Sequence, residues 1–344
     1  MALWLVRAGS GGEYETKFIS ESRVYVTWTG LKHDLRSPKG QPELRQVLAD
    51  YYPDNKPKTI MNNASQLWPF AHSMNVGDWV VLPRKTAPVV CIGEIVGDYE
   101  FHRAGSDPFF HSRKVKWLAT DVPRANFSQD LLYSFGAFMT ICRIARNDAE
   151  ARVRAMAKNH WKPETNTDVI ASHGVSLEGE ADLDSDLAVI ATDQLARLIK
   201  AKFKGHGLAR LVGAILQAQG FEIHLSPPGP DGGVDILAAA GSLGFGELRI
   251  AVQVKSEDGA IDLAALKHLK GTMSDVKANR GMLVAWGGFK SSVEKERATS
   301  FFDVRLWNQN DIIEALLENY EKLDPEIRAE LPLKQIWTVA SQVE

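Results

Sequence analysis

The sequence predicts two domains of different class, a small α+β barrel in residues 1–160 and an α/β sandwich around a mixed sheet in residues 191–322. A chain of 344 residues is long enough for two ordinary domains. Residues 161–190 are polar and acidic, as expected of a linker. After this linker the predicted order is α-β-β-β-α-β-α-β-α, which is typical of a layered α/β domain.

The N-terminal domain is predicted from short strands that alternate with short helices. β-branched and aromatic runs favour strands, and apolar residues three and four apart favour helices. The predicted strands are 4–7, 24–28, 79–83, 89–97 and 111–118, and the predicted helices are 13–21, 41–52, 62–74 and 147–158. This mixture of short elements predicts a small α+β barrel.

The C-terminal domain shows the more regular pattern. One of its helices ends at Gly220, and glycine is preferred just after a helix. The predicted helices are 192–204, 208–219, 262–274, 291–302 and 311–320, and the predicted strands are 221–224, 234–240, 248–255, 281–286 and 304–307. Residues 323–344 form a tail that could pack on either domain.

A hairpin between Asp231 and Lys255 carries an unusual set of polar residues. Gln253 and Lys255 alternate with valines, so they share one face of a strand. Asp235 and Gln253 are equally distant from Gly244, so a symmetric hairpin places them opposite each other. A carboxylate, an amide and an ammonium would then meet on an otherwise apolar hairpin, where unpartnered polar groups are costly.

These residues resemble the D…(E/Q)-x-K core of the PD-(D/E)xK nucleases. Gly-Phe at 220–221, followed by D-G-G-V-D-I and V-Q-V-K, resembles the Mrr-type restriction endonuclease domain in particular. The resemblance implies that Asp235, Gln253 and Lys255 are catalytic. It also implies that Asp235, the Gln253 amide and the Val254 carbonyl bind Mg²⁺, with Mn²⁺ as a substitute. Lys255 would orient the attacking water or help to deprotonate it, and it would hold the phosphate oxygens.

The sequence departs from the nuclease pattern at two positions. Gln253 stands where many of these enzymes have Glu, although Mrr-type domains commonly carry Gln there. Ala209 stands where these domains often have a helix Glu. Asp231 is expected to cap its loop or to support the metal ligands. The site would therefore hold Mg²⁺ weakly until the phosphate of the substrate adds further ligands.

The order of W-L-V-R-A-G, V-Y-V-T-W, G-D-W-V-V-L-P and I-G-E-I-V-G-D-Y resembles PUA-like domains of the EVE and YTH group. That resemblance implies a pocket in which a modified base stacks on aromatic rings. The residues expected to bind the base are Trp28, Asn62, Trp68, Phe70 and Trp79, and those expected to contact phosphates are Arg84, Lys85, Lys114 and Lys116. The alternative is that these rings are core, as expected of Trp4, and that these cations are solvated.

Composition narrows the class of protein without identifying a ligand. The net charge is −3, but residues 1–160 hold 21 basic and 16 acidic residues, a mildly basic balance. The two cysteines, Cys91 and Cys142, form no metal-binding or disulfide pattern. No apolar run is long enough to cross a membrane, and no secretory leader is recognisable, so we expect a cytoplasmic protein.

The expected function is that of a modification-dependent (type IV-like) restriction endonuclease. The N-terminal domain would recognise a modified base in double-stranded DNA, and the C-terminal domain would hydrolyse the DNA with Mg²⁺. Because one such centre cuts one strand, a homodimer or higher homo-oligomer is expected. Two alternatives stay open: a DNA-binding module with a degenerate nuclease fold, and a nuclease whose reader recognises RNA or unmodified DNA.

Overall fold

The computed structural model describes residues 1–137, 139–163, 187–227 and 233–336. The chain divides into two compact units, with the boundary between residues 190 and 191. Most of the predicted acidic linker, residues 164–186, and the loop residue Asp231 lie outside the described residues. Every helix in the described part of the chain is too short or too polar to cross a membrane.

Unit 1 is built on a six-stranded sheet with the order β2-β5-β4-β3-β1-β6. Its strands are β1 (Leu3–Val6), β2 (Arg23–Val26), β3 (Trp79–Pro83), β4 (Val89–Phe101), β5 (His111–Pro123) and β6 (Ile141–Ile144). Only β1 and β3 pair in parallel, and the other neighbours are antiparallel. The predicted barrel is not confirmed, because within the described residues the end strands β2 and β6 do not pair with each other.

Two apolar clusters cover the two faces of this sheet. Along β3, Val80 and Leu82 face one cluster, whereas Trp79 and Val81 face the other, as expected for alternating residues of a strand. The helices of unit 1 are α1 (Glu15–Ser20), α2 (Gln41–Tyr51), α3 (Pro57–His72), α4 (Gln129–Phe135) and α5 (Ala149–Lys158). The sequence analysis missed α4 and β6, and it placed the start of α3 five residues late.

Unit 2 contains a five-stranded sheet with the order β11-β10-β9-β8-β7. Its strands are β7 (Glu222–Leu225), β8 (Ile236–Ala239), β9 (Arg249–Lys255), β10 (Arg280–Ala285) and β11 (Val304–Asn308). Strands β9, β10 and β11 are parallel, and β8 is antiparallel to β7 and β9. The predicted mixed sheet of an α/β domain is therefore confirmed.

Helices cover both faces of the second sheet. They are α6 (Leu187–Lys202), α7 (His206–Ala218), α8 (Leu263–Asp275), α9 (Ser291–Glu296), α10 (Gln309–Asn319) and α11 (Pro325–Glu330). Residues of α6, α7 and α10 share one apolar cluster with Ile236 and Val252, and residues of α8 and α9 share the other with Ala251. The start of the predicted tail packs here, because Ile327 and Leu331 belong to the first of these clusters.

Candidate active site

The polar residues of the hairpin meet where β8 begins and β9 ends. Ile236 pairs with Val252, so the hairpin has the symmetric register expected from the sequence. Asp235 comes just before the first paired residue, and its N–H donates to the Val252 carbonyl at 2.9 Å. Its carboxylate accepts a hydrogen bond from the Val254 N–H at 2.7 Å. The carboxylate is thereby held against the backbone of β9, beside Gln253.

Gln253 is a buried polar residue whose amide oxygen has no internal partner. It follows Ala251 by two positions, so both face the apolar cluster beneath α8. The side chain is 4% exposed, and among the described residues its Oε1 accepts no hydrogen bond. Such an atom destabilises a fold by about 1–3 kcal/mol. An atom of this kind is expected to accept a hydrogen bond from water or to bind an ion or a ligand.

Lys255 is half-buried at the carboxyl end of β9, on the same face as Gln253. Its carbonyl accepts a hydrogen bond from the Trp286 N–H at 2.8 Å, which fixes the backbone at this point. In the part of the chain that the structure describes, its ammonium takes part in no ion pair. Three functional groups predicted from the sequence are thus carried by adjacent ends of two neighbouring strands.

The loops that follow β9 and β10 are tied together beside these residues. The Gly287 N–H donates to the Glu257 carbonyl at 3.0 Å, and the Ile261 N–H donates to the Gly288 carbonyl at 2.9 Å. A side chain at Gly287 would lie 2.4 Å from the Asp258 backbone, so only glycine fits there. Asp258 also pairs with Lys200 of α6 at 2.6 Å. These contacts therefore hold the two loops at the rim of the site in place.

The oxygen donors at this site fit a divalent metal such as Mg²⁺, which prefers oxygen ligands. Asp235 supplies a carboxylate, Gln253 the unpartnered amide oxygen, and Val254 a backbone carbonyl. The described residues contain no group of three or more His, Cys, Asp or Glu that could hold a metal. Ala209 lies in the apolar cluster of α7 and adds no donor. A metal here would thus depend on one described carboxylate, neutral oxygens and substrate.

The aromatic residues predicted to bind a base are not gathered into one pocket. Trp28 and Trp68 are half-buried on the rim of one apolar cluster, and Phe70 is fully buried inside that cluster. Trp79 packs against the opposite cluster, with the Arg154 guanidinium 4.3 Å from its ring centre. Asn62 is exposed on α3. Phe70 has no surface to offer a base, because its ring belongs to the core.

The cations predicted to contact phosphates have different surroundings. The Arg84 Nε donates to the buried Glu15 carboxylate at 2.9 Å, so Arg84 neutralises a buried charge inside unit 1. Lys85 and Lys116 are exposed. The Lys114 Nζ lies 3.5 Å from Glu100 and is 56% exposed. The three lysines keep surfaces that could meet a phosphate, whereas Arg84 has a structural partner.

Unit 1 also contains a groove that the sequence analysis missed. It has a volume of about 530 Å³ and lies between α3 and β6, with Ser65, Pro69, Ser73, Asn75 and Arg143 among its lining residues. None of the five predicted base-binding residues lines it. Proline has no N–H, so Pro69 inside α3 leaves the Ser65 carbonyl without its usual helical donor. The proline signals this missing hydrogen bond in the sequence, although it does not predict that β6 lies beside α3.

Trp4 and Asp78 form the buried floor of this groove. The Asp78 carboxylate accepts hydrogen bonds from the Ala2 N–H at 2.8 Å, the Asn75 N–H at 3.0 Å and the Trp4 Nε1 at 3.1 Å. Trp4 is therefore a core residue, as expected, although its edge borders the cavity. The groove combines a fixed floor with an exposed arginine on its rim.

Three solved structures resemble the chain at low identity. AspBHI, a DNA modification-dependent restriction endonuclease, is 15% identical, with a TM-score of 0.34 over 74% of this chain and 67% of that one. The MspJI restriction endonuclease in complex with a 27-mer oligonucleotide is 12% identical, with a TM-score of 0.33 over 96% and 80%. The protein of unknown function AF1548 is 18% identical, with a TM-score of 0.26 over 38% and 78%.

Comparison of the sequence with protein families gives two matches. Residues 4–136 match a domain of unknown function, DUF8426. Residues 200–316 match the restriction endonuclease family Mrr_cat, and this match includes Asp235, Gln253 and Lys255. No curated protein matches the chain. Residues 200–316, which hold the site at the ends of β8 and β9, are therefore a restriction endonuclease domain of the Mrr type.

Proposed function

We propose that the chain is a modification-dependent (type IV-like) restriction endonuclease. Unit 2 hydrolyses DNA phosphodiester bonds with Mg²⁺, for which Mn²⁺ can substitute, after unit 1 has recognised a modified base. The observation that carries the proposal is the meeting of Asp235, the unpartnered Gln253 oxygen and Lys255 inside the restriction endonuclease domain. A buried acceptor without a partner next to a carboxylate suits a metal-dependent reaction.

The residues of the site would share the work of phosphodiester hydrolysis. Asp235, Gln253 and the Val254 carbonyl would hold Mg²⁺, which supplies Lewis-acid stabilisation of the charge on the phosphoryl oxygens. The Val254 N–H keeps the Asp235 carboxylate oriented towards β9. Lys255 would hold a phosphate oxygen and, from the same face of the strand, orient the attacking water or help to deprotonate it.

Cleavage of both strands needs two such centres, since each holds a single set of these residues. A homodimer or higher homo-oligomer of this chain would bring two centres to one duplex. Double-stranded DNA is thus the proposed substrate, and a second copy of the chain is the proposed partner.

Unit 1 is the proposed reader of a modified base, with a PUA-like mode of recognition. Two features support this role. The half-exposed rings of Trp28 and Trp68 are large enough for stacking, which contributes about 1–3 kcal/mol per base. The 530 Å³ groove offers a backbone carbonyl, hydroxyls and the Arg143 guanidinium, which are the groups that bind base edges and phosphates.

The nuclease proposal is tested with supercoiled plasmid DNA in Mg²⁺. Wild-type protein is expected to convert the plasmid to nicked and linear forms, and chelation should stop the reaction. Lys255→Ala should lower the rate by about 100- to 10,000-fold, as expected for loss of a group that assists proton transfer. Lys322→Ala, at an exposed lysine elsewhere in unit 2, is the matched control and should cut normally. Equal cleavage rates for Lys255→Ala and Lys322→Ala would contradict the proposal.

The single carboxylate among the described metal-site residues favours one rival, a module that binds DNA without cutting it. This rival predicts that wild-type protein binds duplex DNA but leaves it intact in both Mg²⁺ and Mn²⁺. A further rival keeps the nuclease but gives unit 1 a preference for RNA or unmodified DNA. To decide the preference of unit 1, full-length Lys255→Ala protein is titrated with methylated duplex, unmodified duplex and RNA of one sequence. The relative affinities show which of these nucleic acids the protein prefers.

A further inference from the structure

We propose that His268 of α8 is a positioning residue for Asp235. This inference rests on the proposed nuclease function and adds to it a residue outside the D…Q-x-K pattern. His268 lies 33 residues beyond Asp235 in the sequence, in the helix that directly follows β9. The His268 ring contacts Gly233, which lies two residues before Asp235.

The contact is between the His268 ring and Gly233. A Cβ atom at Gly233 would lie 2.2 Å from the His268 Cε1, 3.1 Å from its Nδ1 and 3.3 Å from its Nε2. The imidazole therefore fills the volume that a side chain at position 233 would occupy. Gly233 also has a φ angle of +90°, a conformation that residues with a side chain rarely adopt. Both facts make glycine the residue that fits beneath the ring.

The segment from Gly233 to Asp235 is held from two sides. On the sheet side, the Ser226 Oγ donates to the Val234 carbonyl at 2.7 Å, and the Asp235 N–H donates to the Val252 carbonyl at 2.9 Å. On the helix side, Val234 is buried in the cluster that contains Leu266 of α8, and the His268 ring covers Gly233. His268 thus closes the helix side of the segment two residues before Asp235.

The positioning role follows from the shape of the ring and needs neither of its nitrogens. His268 is exposed, and in the described part of the chain its imidazole makes no hydrogen bond. A flat ring can lie on the bare Cα of glycine, whereas alanine at position 268 would leave space there. With that space the segment could move away from β9, and the hydrogen bond from the Val254 N–H to the Asp235 carboxylate would weaken.

The test compares full-length wild type, His268→Ala, His268→Phe and, as a matched control, His224→Ala on the exposed face of β7. The first readout is the hydrogen-exchange rate of the Val254 amide without metal or DNA. Loss of the ring should speed this exchange about tenfold, while phenylalanine should preserve it. The internal reference is the amide of Ala251, a residue that lies opposite Leu237 inside the hairpin.

The second readout is the Mg²⁺ concentration that half-saturates plasmid cleavage. His268→Ala should raise it by about 10- to 100-fold, the usual effect of removing a residue that orients a metal ligand, with DNA affinity unchanged. His268→Phe should stay near wild type, as should His224→Ala. If phenylalanine impairs cleavage as strongly as alanine, the nitrogens act on the substrate and the positioning role is wrong.

The two proposals fail in different ways. If wild-type protein does not cut DNA, the nuclease function fails, but exchange at Val254 still decides whether His268 positions Asp235. Unchanged exchange in His268→Ala would overturn the positioning role whether or not the protein cuts DNA. Faster exchange at Ala251 as well as at Val254 would also overturn it, because the substitution would then have loosened the whole hairpin.

Discussion

The buried Gln253 of unit 2 differs in its contacts from several buried polar groups of unit 1. In unit 1 they hold the fold together: Glu15 neutralises Arg84, Asp78 accepts three hydrogen bonds, and His111 joins Tyr99 to the Leu31 carbonyl. In unit 2 the buried Gln253 oxygen holds nothing among the described residues. A satisfied buried group marks architecture, whereas an unsatisfied one beside a carboxylate marks a site where chemistry can occur.

Arg113 of unit 1 is also a buried polar residue with an atom that lacks a described partner. Its guanidinium is fully buried in unit 1, and its Nη1 has no partner among the described residues. However, its Nε donates to the Phe70 carbonyl at 2.7 Å and its Nη2 to the Ala71 carbonyl at 3.2 Å, at the end of α3. Arg113 is therefore anchored by two other nitrogens, whereas no described contact satisfies the Gln253 oxygen.

The largest effect is expected in unit 2, from Asp235→Asn. This change keeps the size of the side chain but removes the one described carboxylate near the Gln253 oxygen. Cleavage should fall by about 1,000- to 10,000-fold, which corresponds to several kcal/mol of lost transition-state stabilisation. Initial rates on plasmid DNA measure it. A variant that retains a tenth of the wild-type rate would show that the metal site lies elsewhere.

In unit 1 the two kinds of aromatic residue should respond differently to truncation. Phe70→Ala removes a fully buried ring and should lower the free energy of unfolding by about 3–5 kcal/mol. Trp68→Ala removes a half-buried ring that stacks on His72 at 3.8 Å and should mainly weaken nucleic-acid binding. Thermal melts and binding titrations separate the two outcomes. Equal loss of stability would make Trp68 a core residue.

Acid should destabilise unit 1 through His111. Burial lowers the pKa of this imidazole from 6.5 to about 4, and its Nε2–H donates to the Leu31 carbonyl. In the unfolded chain His111 binds a proton near its ordinary pKa. Between these values the unfolded state therefore binds more protons, and stability is lost as pH falls. The loss should reach about 3 kcal/mol at pH 4.

Denaturant titrations between pH 7 and pH 4 measure this effect, and His111→Asn removes its source. The variant is expected to be less stable than wild type at neutral pH but to have a flatter pH dependence. An equally steep decline in the variant would assign the acid sensitivity to other groups, such as paired carboxylates.

A smaller effect, an increase in stability instead of a loss, is expected from a substitution at Gln253. Gln253→Leu removes an unsatisfied buried oxygen and should raise the free energy of unfolding by about 1 kcal/mol in metal-free protein, while cleavage is lost. The same trade of stability against function is common at active sites. Urea titrations without metal measure it. A destabilised variant would mean that the oxygen already has a partner in the folded chain.

The proximity of Asp235 and Gln253 could be predicted from the sequence because both residues belong to one hairpin. The symmetric register about Gly244 follows from local pattern, and it places Asp235 near Gln253 without knowledge of the rest of the fold. The contact between Gly233 and His268 could not be predicted in this way. It depends on how α8 packs over the sheet, and a histidine on an exposed helix face gives no signal by itself.

Unit 1 shows the same limit more strongly. The α3–β6 groove is assembled from the chain start, α3 and residues near 140, which meet only because β1 pairs with both β3 and β6. The strand β6 is short and was missed in the sequence, so the groove could not be foreseen. Aromatic residues stood out in the sequence by type alone, and the structure distributes them between two faces of the sheet.

The most direct test of the central claim is a competition between two plasmids in one reaction with Mg²⁺. One plasmid carries enzymatically modified bases, and the other carries none. Their sequences are the same except for a small insert in one of them, which distinguishes the two plasmids by length. The proposed coupling of a reader in unit 1 to a nuclease in unit 2 predicts preferential cleavage of a modified plasmid, at least about tenfold faster, and none by Asp235→Asn. Equal cleavage of both plasmids across methylated and hydroxymethylated substrates would contradict it, as would cleavage by the variant.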